Sequence, residues 1–282
     1  MRNNDSNQIK LKDIIKFDEY ETYKYNEIKK ILIDNGCSQM SDNERKFLNG
    51  IIRFSKPKKI LEVGVRSGGS SSIILNAIED FKDSKLYSID LDSDKSVGEC
   101  VYKYFPKLTK QWTLFKGNIS TEYMEKIGNN IDMVIIDTAH FEPGEILDSL
   151  IVLPFLKTNA IMIIHDISTQ INHYKRDEWA PYIIFNGLRG KKYLPSGKNI
   201  LNKNIGAIQL EKNQKNYYHD YFRLLGGQWQ YYPKEIHINQ AYKYFQKHYD
   251  KECLIMFNEA ITFNKVFVKL NPKNIFYNYT KD

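Results

Sequence analysis

Three short apolar runs in this chain end on an acid: Leu86-Tyr87-Ser88-Ile89-Asp90, Met133-Val134-Ile135-Ile136-Asp137 and Ala160-Ile161-Met162-Ile163-Ile164-His165-Asp166. A fourth run, Lys59-Ile60-Leu61-Glu62-Val63, precedes them, and Asn204 to Leu210 reads as a late strand. Helical stripes alternate with the runs. Ile73, Ile74, Ala77, Ile78 and Phe81 form one, and Ile146, Leu147, Leu150 and Ile151 form another. Short runs alternating with helices predict a parallel sheet covered on both faces. Such sheets bind ligands beyond the carboxyl ends of their strands. Glu62, Asp90, Asp137, His165 and Asp166 would all gather there.

The turn after the first strand reads Glu62-Val63-Gly64-Val65-Arg66-Ser67-Gly68-Gly69-Ser70. A dinucleotide fingerprint needs glycine two residues after the first one, and Arg66 stands there. A phosphate-cradling Gly-Lys-Ser/Thr loop is also absent from the sequence. What remains is acid-x-Gly-x-x-x-Gly, which lets backbone approach a ligand closely. The acid before the glycines suits a cationic ligand better than a phosphate. Asp90, at the end of the next strand, can accept two hydrogen bonds from a ribose diol.

With these residues, the segment from about 59 to 210 resembles the class I S-adenosylmethionine-dependent methyltransferases. The resemblance implies a Rossmann-like, seven-stranded, mostly parallel sheet with strand order 3-2-1-4-5-7-6. It implies S-adenosylmethionine as cofactor, with Glu62, Gly64 and Gly68 on its methionine and ribose side. Asp90 would hold the ribose hydroxyls, and the turn Gly117-Asn118 would lie near the adenine.

Asp137-Thr138-Ala139-His140 and the pair His165-Asp166 place acids and histidines at neighbouring strand ends. Parallel neighbours lie ~4.8 Å apart, so their ends can share one ligand. Asp137, His165 and Asp166 are the candidate ligands for Mg²⁺ or another divalent ion, and His165 turns the preference toward Mn²⁺ or Fe²⁺. The spacing resembles the branch containing sugar O-methyltransferases and cephalosporin-hydroxylase-like proteins. There the histidine three residues past the first acid is the base, which points to His140. Metal-dependent members carry Glu-Asp where this chain has His165-Asp166. The branch implies a small polar acceptor, a sugar or nucleotide-linked sugar. The alternatives are an RNA methyltransferase and a catalytically silent protein of the same fold. His173, His219, His237 and His248 carry no motif.

Outside this segment the chain divides into an N-terminal helical extension, 1–57, and a C-terminal aromatic-rich, mostly helical extension, 211–282; the methyltransferase domain is 58–210. Ser41-Asp42-Asn43-Glu44 reads as a capping box opening a helix that Pro57 stops. Apolar residues make up 42% of the 282, enough for a sizeable core. No apolar run approaches the ~18 residues of a membrane helix, and the polar first residues do not read as a secretion signal. The net charge is +7. Residues 175–282 hold 18 Lys+Arg against 9 Asp+Glu, and the remainder 23 against 25. Scattered lysines among so many Asn, Ile and Tyr read as solvated surface, and no RNA-binding module is recognisable. Cys37, Cys100 and Cys253 stand far apart in sequence and suggest neither a disulfide framework nor a zinc site, which makes a reducing, cytoplasmic location the default. The C-terminal tyrosines fit a helical core, a homo-oligomer interface or aromatic platforms for a sugar.

Overall fold

The computed structural model describes residues 15–172, 178–199 and 203–270; His173 lies outside them. Seven strands form one sheet: β1 (Lys59–Val63), β2 (Lys85–Asp90), β3 (Trp112–Lys116), β4 (Ile131–Ile136), β5 (Leu156–His165), β6 (Gly190–Tyr193) and β7 (Ile205–Leu210). Their order is β3-β2-β1-β4-β5-β7-β6, the order expected. The first five run parallel, and β7 is antiparallel to both β5 and β6. Two strands, β3 and β6, had no clear signal. Neither is buried along its length, and both mix apolar with polar residues as edge strands do.

The helices in chain order are α1 (Thr22–Asp34), α2 (Asp42–Ser55), α3 (Gly69–Ile78), α4 (Glu99–Tyr104), α5 (Met124–Ile127) and α6 (Gly144–Val152). They continue as α7 (Thr169–Asn172), α8 (Ala180–Gly187), α9 (Tyr218–Arg223), α10 (Glu235–His248) and α11 (Lys251–Leu270). The expected capping box opens α2: Ser41 accepts from the Glu44 amide, and Glu44 accepts in return from the Ser41 amide.

Strand alternation sends the central residues to two separate cores. Ile60, Met133 and Ile135 face Phe47, Leu48, Ile51 and Ile74, so the N-terminal helices share a core with α3. Leu61, Val63, Val134 and Ile136 face the other side, with Leu150, Tyr221, Phe222, Trp229, Phe245 and Phe257. The C-terminal aromatics are therefore mainly core. Tyr244 donates to the Ile151 carbonyl at 2.7 Å, and Tyr249 donates to that of Leu150. The two hydroxyls tie α10 and the residue that ends it to α6, because a buried carbonyl left bare would cost free energy. Each extension thus covers one face of the sheet.

One sequence expectation is overturned here. Cys37 and Cys100 form a disulfide, with Cα atoms 6.0 Å apart. Sixty-three positions separate them in the chain, but both end against the glycine turn. The distance along the sequence says nothing about this packing. Among the described residues no helix is long and apolar enough to cross a membrane.

Candidate active site

The glycine turn is built from its neighbours inward. Gly64 and Gly68 have φ of +91° and +90°, conformations that disfavour any side chain. A Cβ on Gly64 would stand 1.8 Å from the Asp137 carbonyl oxygen, and one on Gly68 3.0 Å from the Gly98 Cα. The close approach here is by the chain's own backbone, which packs the glycine turn directly on the end of β4. Asp90 holds the turn from the next strand: its Oδ2 accepts from the Val65 and Arg66 amides, both at 2.9 Å. Its Oδ1 accepts from the Asp92 amide at 2.9 Å. On the other flank, the Ser67 hydroxyl donates to the Cys37 carbonyl at 3.0 Å. The Gly117 amide donates to the Asp90 carbonyl at 3.0 Å, bringing the Gly117-Asn118 turn beside that strand end. Asn118 Oδ1 accepts from the Ile119 amide at 2.9 Å and faces Gln240 of α10 at 3.4 Å.

Glu62 lies beneath the turn and is fully buried. The Ser70, Ser71 and Ser88 hydroxyls each donate to its carboxylate at 2.6 Å. Burial pushes its pKa up to about 7, against the three hydroxyls, which favour the charge. From this position Glu62 fixes the turn to β2 and α3 and presents no atom to solvent.

At the ends of β4 and β5, register brings two acids and two histidines together. Ile136 pairs with Ile164, so Asp137 and His165 come level just beyond. Asp166 has φ of +58°, which turns its side chain back across the strand end. Its Oδ1 is held by Thr169 Oγ1 at 2.8 Å and Asn204 Nδ2 at 2.5 Å. Its Oδ2 stands 3.0 Å from His140 Nε2 and 3.1 Å from His165 Nδ1. Asp137 Oδ2 lies 3.5 Å from His165 Nδ1, and Asp137 Oδ1 3.9 Å from His140 Nε2. All four residues anticipated from sequence therefore meet.

Two carboxylates that the sequence did not point out stand behind the histidines. Glu145, fully buried in the first turn of α6, faces His140 Nδ1 at 3.2 Å and also accepts from the Thr138 amide at 2.9 Å. Glu44 of α2 faces His165 Nε2 at 3.6 Å. Its capping box was legible; its second oxygen facing a histidine at the far side of the sequence was not. Glu145 carried a weak signal, an acid opening a helix otherwise lined with Ile146, Leu150 and Ile151.

The charges are strongly coupled. Burial alone would lower the His140 pKa, but Glu145, Asp166 and Asp137 outweigh it and raise it to about 9. Burial opposes charge on His165 too, and Asp137, Asp166 and Glu44 together hold it well above its usual range. Burial pushes the Asp166 carboxyl up, yet both histidines overcome that and hold it well below the usual range. His165 is only 8% exposed, and neither ring nitrogen has a hydrogen-bond partner. Orphaned nitrogens facing carboxylate oxygens suit a divalent cation, so the residues present fit the metal suggested by sequence. A second group, His219, Asp250 and Cys253, joins α9 to the start of α11, away from the strand ends.

The strand order, the glycine turn and the acid closing β2 define the class I methyltransferase fold. Residues 61–167 match the family model described as a methyltransferase domain. No curated protein matches the chain. Solved structures similar to it include the O-methyltransferase TomG of Streptomyces achromogenes, involved in tomaymycin synthesis and crystallised with S-adenosylmethionine. It is 13% identical, with 66% of this chain and 89% of that one covered and a TM-score of 0.47. A putative caffeoyl-CoA O-methyltransferase of Staphylococcus aureus is 17% identical over 65% of this chain and 91% of that one, with a TM-score of 0.49.

Proposed function

We propose that this protein transfers a methyl group from S-adenosylmethionine to a hydroxyl of a small polar acceptor, a sugar or nucleotide-linked sugar. The observation that carries the reading is the junction of two sites: Gly64 packs on the Asp137 carbonyl, so the cofactor turn adjoins the acid–histidine cluster. Gly64, Gly68, Asp90 and Asn118 frame the cofactor, with Glu62 supporting the turn from below.

The sulfonium methyl is already activated toward in-line displacement. An alcohol oxygen is a poor nucleophile because its pKa lies far above 7. A divalent ion, when bound by Asp137, Asp166 and the histidine nitrogens facing them, supplies a lowered pKa for an acceptor hydroxyl. The protein holds acceptor and methyl in line at the joined strand ends. His140 was expected to act as base. With a pKa of about 9 it carries a proton at neutral pH in the ion-free protein. In that state it takes a proton from the acceptor only above that pH.

The test is incubation with labelled S-adenosylmethionine and a panel of nucleotide-linked sugars, before and after chelation. Label transferred to a sugar hydroxyl supports the reading. Transfer to RNA, with binding that weakens steeply in salt, would replace it with the nucleic-acid alternative. Failure to bind S-adenosylmethionine at all would make this a silent member of the fold.

A further inference from the structure

We infer that the cluster is a two-histidine, two-carboxylate centre for a borderline first-row ion such as Mn²⁺, Fe²⁺ or Co²⁺, with His140 as a ligand. This deepens the functional reading above and rests on its metal arm. His140 Nε2 and His165 Nδ1 both face the same Asp166 oxygen, at 3.0 and 3.1 Å, and both face Asp137, at 3.9 and 3.5 Å. Two ligands each ~2.1 Å from one ion stand roughly 3.0–3.4 Å apart; the two separations to Asp166 fall in that range and those to Asp137 are longer. Asp137, His140 and Asp166 offer ligand atoms that all lie within 4.8 Å of one another, and His165 joins them through the Nδ1 that faces both acids.

The nitrogens on the far side of each ring are also accounted for. Glu145 stands 3.2 Å from His140 Nδ1, and Glu44 stands 3.6 Å from His165 Nε2. A carboxylate behind each imidazole fixes its tautomer and orientation and raises its basicity toward a metal. Glu44 and Glu145 are therefore positioning residues. Glu44 makes the N-terminal extension part of the centre. Its other oxygen is fixed by the helix cap, which holds this carboxylate beside His165. Asp166, its Oδ1 fixed by Thr169 and Asn204, and a buried His165 whose Nδ1 faces both acids complete a site that is oriented before any ion arrives. Two nitrogen ligands disfavour Mg²⁺, which prefers oxygen and sheds its waters reluctantly.

The experiment is calorimetry of the chelator-stripped full chain with Mn²⁺, Co²⁺ and Mg²⁺ separately, without cofactor or acceptor. One Mn²⁺ or Co²⁺ should bind per chain, at least tenfold more tightly than Mg²⁺. Glu44→Gln retains an oxygen for the helix cap and should lower Mn²⁺ affinity by about 10–100-fold with unchanged circular dichroism. Glu145→Gln should behave alike, and His140→Ala should lose more. Equal Mg²⁺ and Mn²⁺ affinity, or unchanged Mn²⁺ affinity in His140→Ala, would overturn the ligand set. Unchanged affinity in Glu44→Gln would overturn the role of the N-terminal helix. Full methyl transfer by a protein that binds no ion would end this inference and leave the functional reading standing. Tight Mn²⁺ binding without any transfer would do the reverse.

Discussion

Glu62→Gln isolates the consequence of burying a carboxylate under the glycine turn. Glu62 is fully buried, and its pKa is raised from the usual 4.5 to about 7. At ~1.36 kcal/mol per pH unit, that displacement corresponds to about 3 kcal/mol. The folded state binds this proton more tightly than the unfolded chain, so stability falls as pH rises between the two pKa values. The group's contribution is complete below about pH 4.5 and is lost by the time pH has passed about 7. Glutamine keeps the shape and one acceptor for the three serine hydroxyls but does not titrate. Urea unfolding of both proteins across pH 4–9 gives the difference in stability at each pH, in which every other titrating group cancels. That difference should move by about 3 kcal/mol in favour of the variant as pH rises from 4.5 to 8. A flat difference would refute the argument, because it would mean that the ionised carboxylate is as comfortable folded as unfolded.

Further expectations follow from the contacts around the site. Asp90→Ala removes the acceptor for the Val65 and Arg66 amides and should weaken S-adenosylmethionine binding about 10–100-fold by calorimetry; unchanged affinity would remove Asp90 from the cofactor site. Gly64→Ala places a methyl 1.8 Å from the Asp137 carbonyl and should destabilise the protein by at least ~2 kcal/mol in urea unfolding. Tyr244→Phe strips the Ile151 carbonyl of its side-chain donor and should cost about 1–3 kcal/mol, read in the same way. In the chelated protein, any remaining transfer should rise with pH through about 9 as His140 loses its proton. His140→Ala should abolish that limb of the profile, with a loss of about 10²–10⁴ in kcat.

Local pattern determined much of this protein. The apolar runs 59–63, 86–90, 133–137 and 160–166 contain four strand positions or more each, and their ends fall within a few residues of those of β1, β2, β4 and β5. Such strands are buried on both faces, so nearly every residue carries the signal. The capping box at Ser41 and Glu44 was legible for a different reason: both partners lie within four residues of each other. Asp137, His140, His165 and Asp166 could be named because strand ends in a parallel sheet share an edge. Tertiary structure alone decided what depends on contacts between distant segments. The edge strands β3 and β6 are fixed by pairing, their own residues being too mixed to show it. Cys37, in the loop before α2, reaches Cys100 of α4 because both pack against the glycine turn at Ser67. Glu44 and Glu145 come to stand behind the two histidines by the same kind of docking. A side chain's long-range partner is set by how helices pack on the sheet, and periodicity along the chain records only which face is buried.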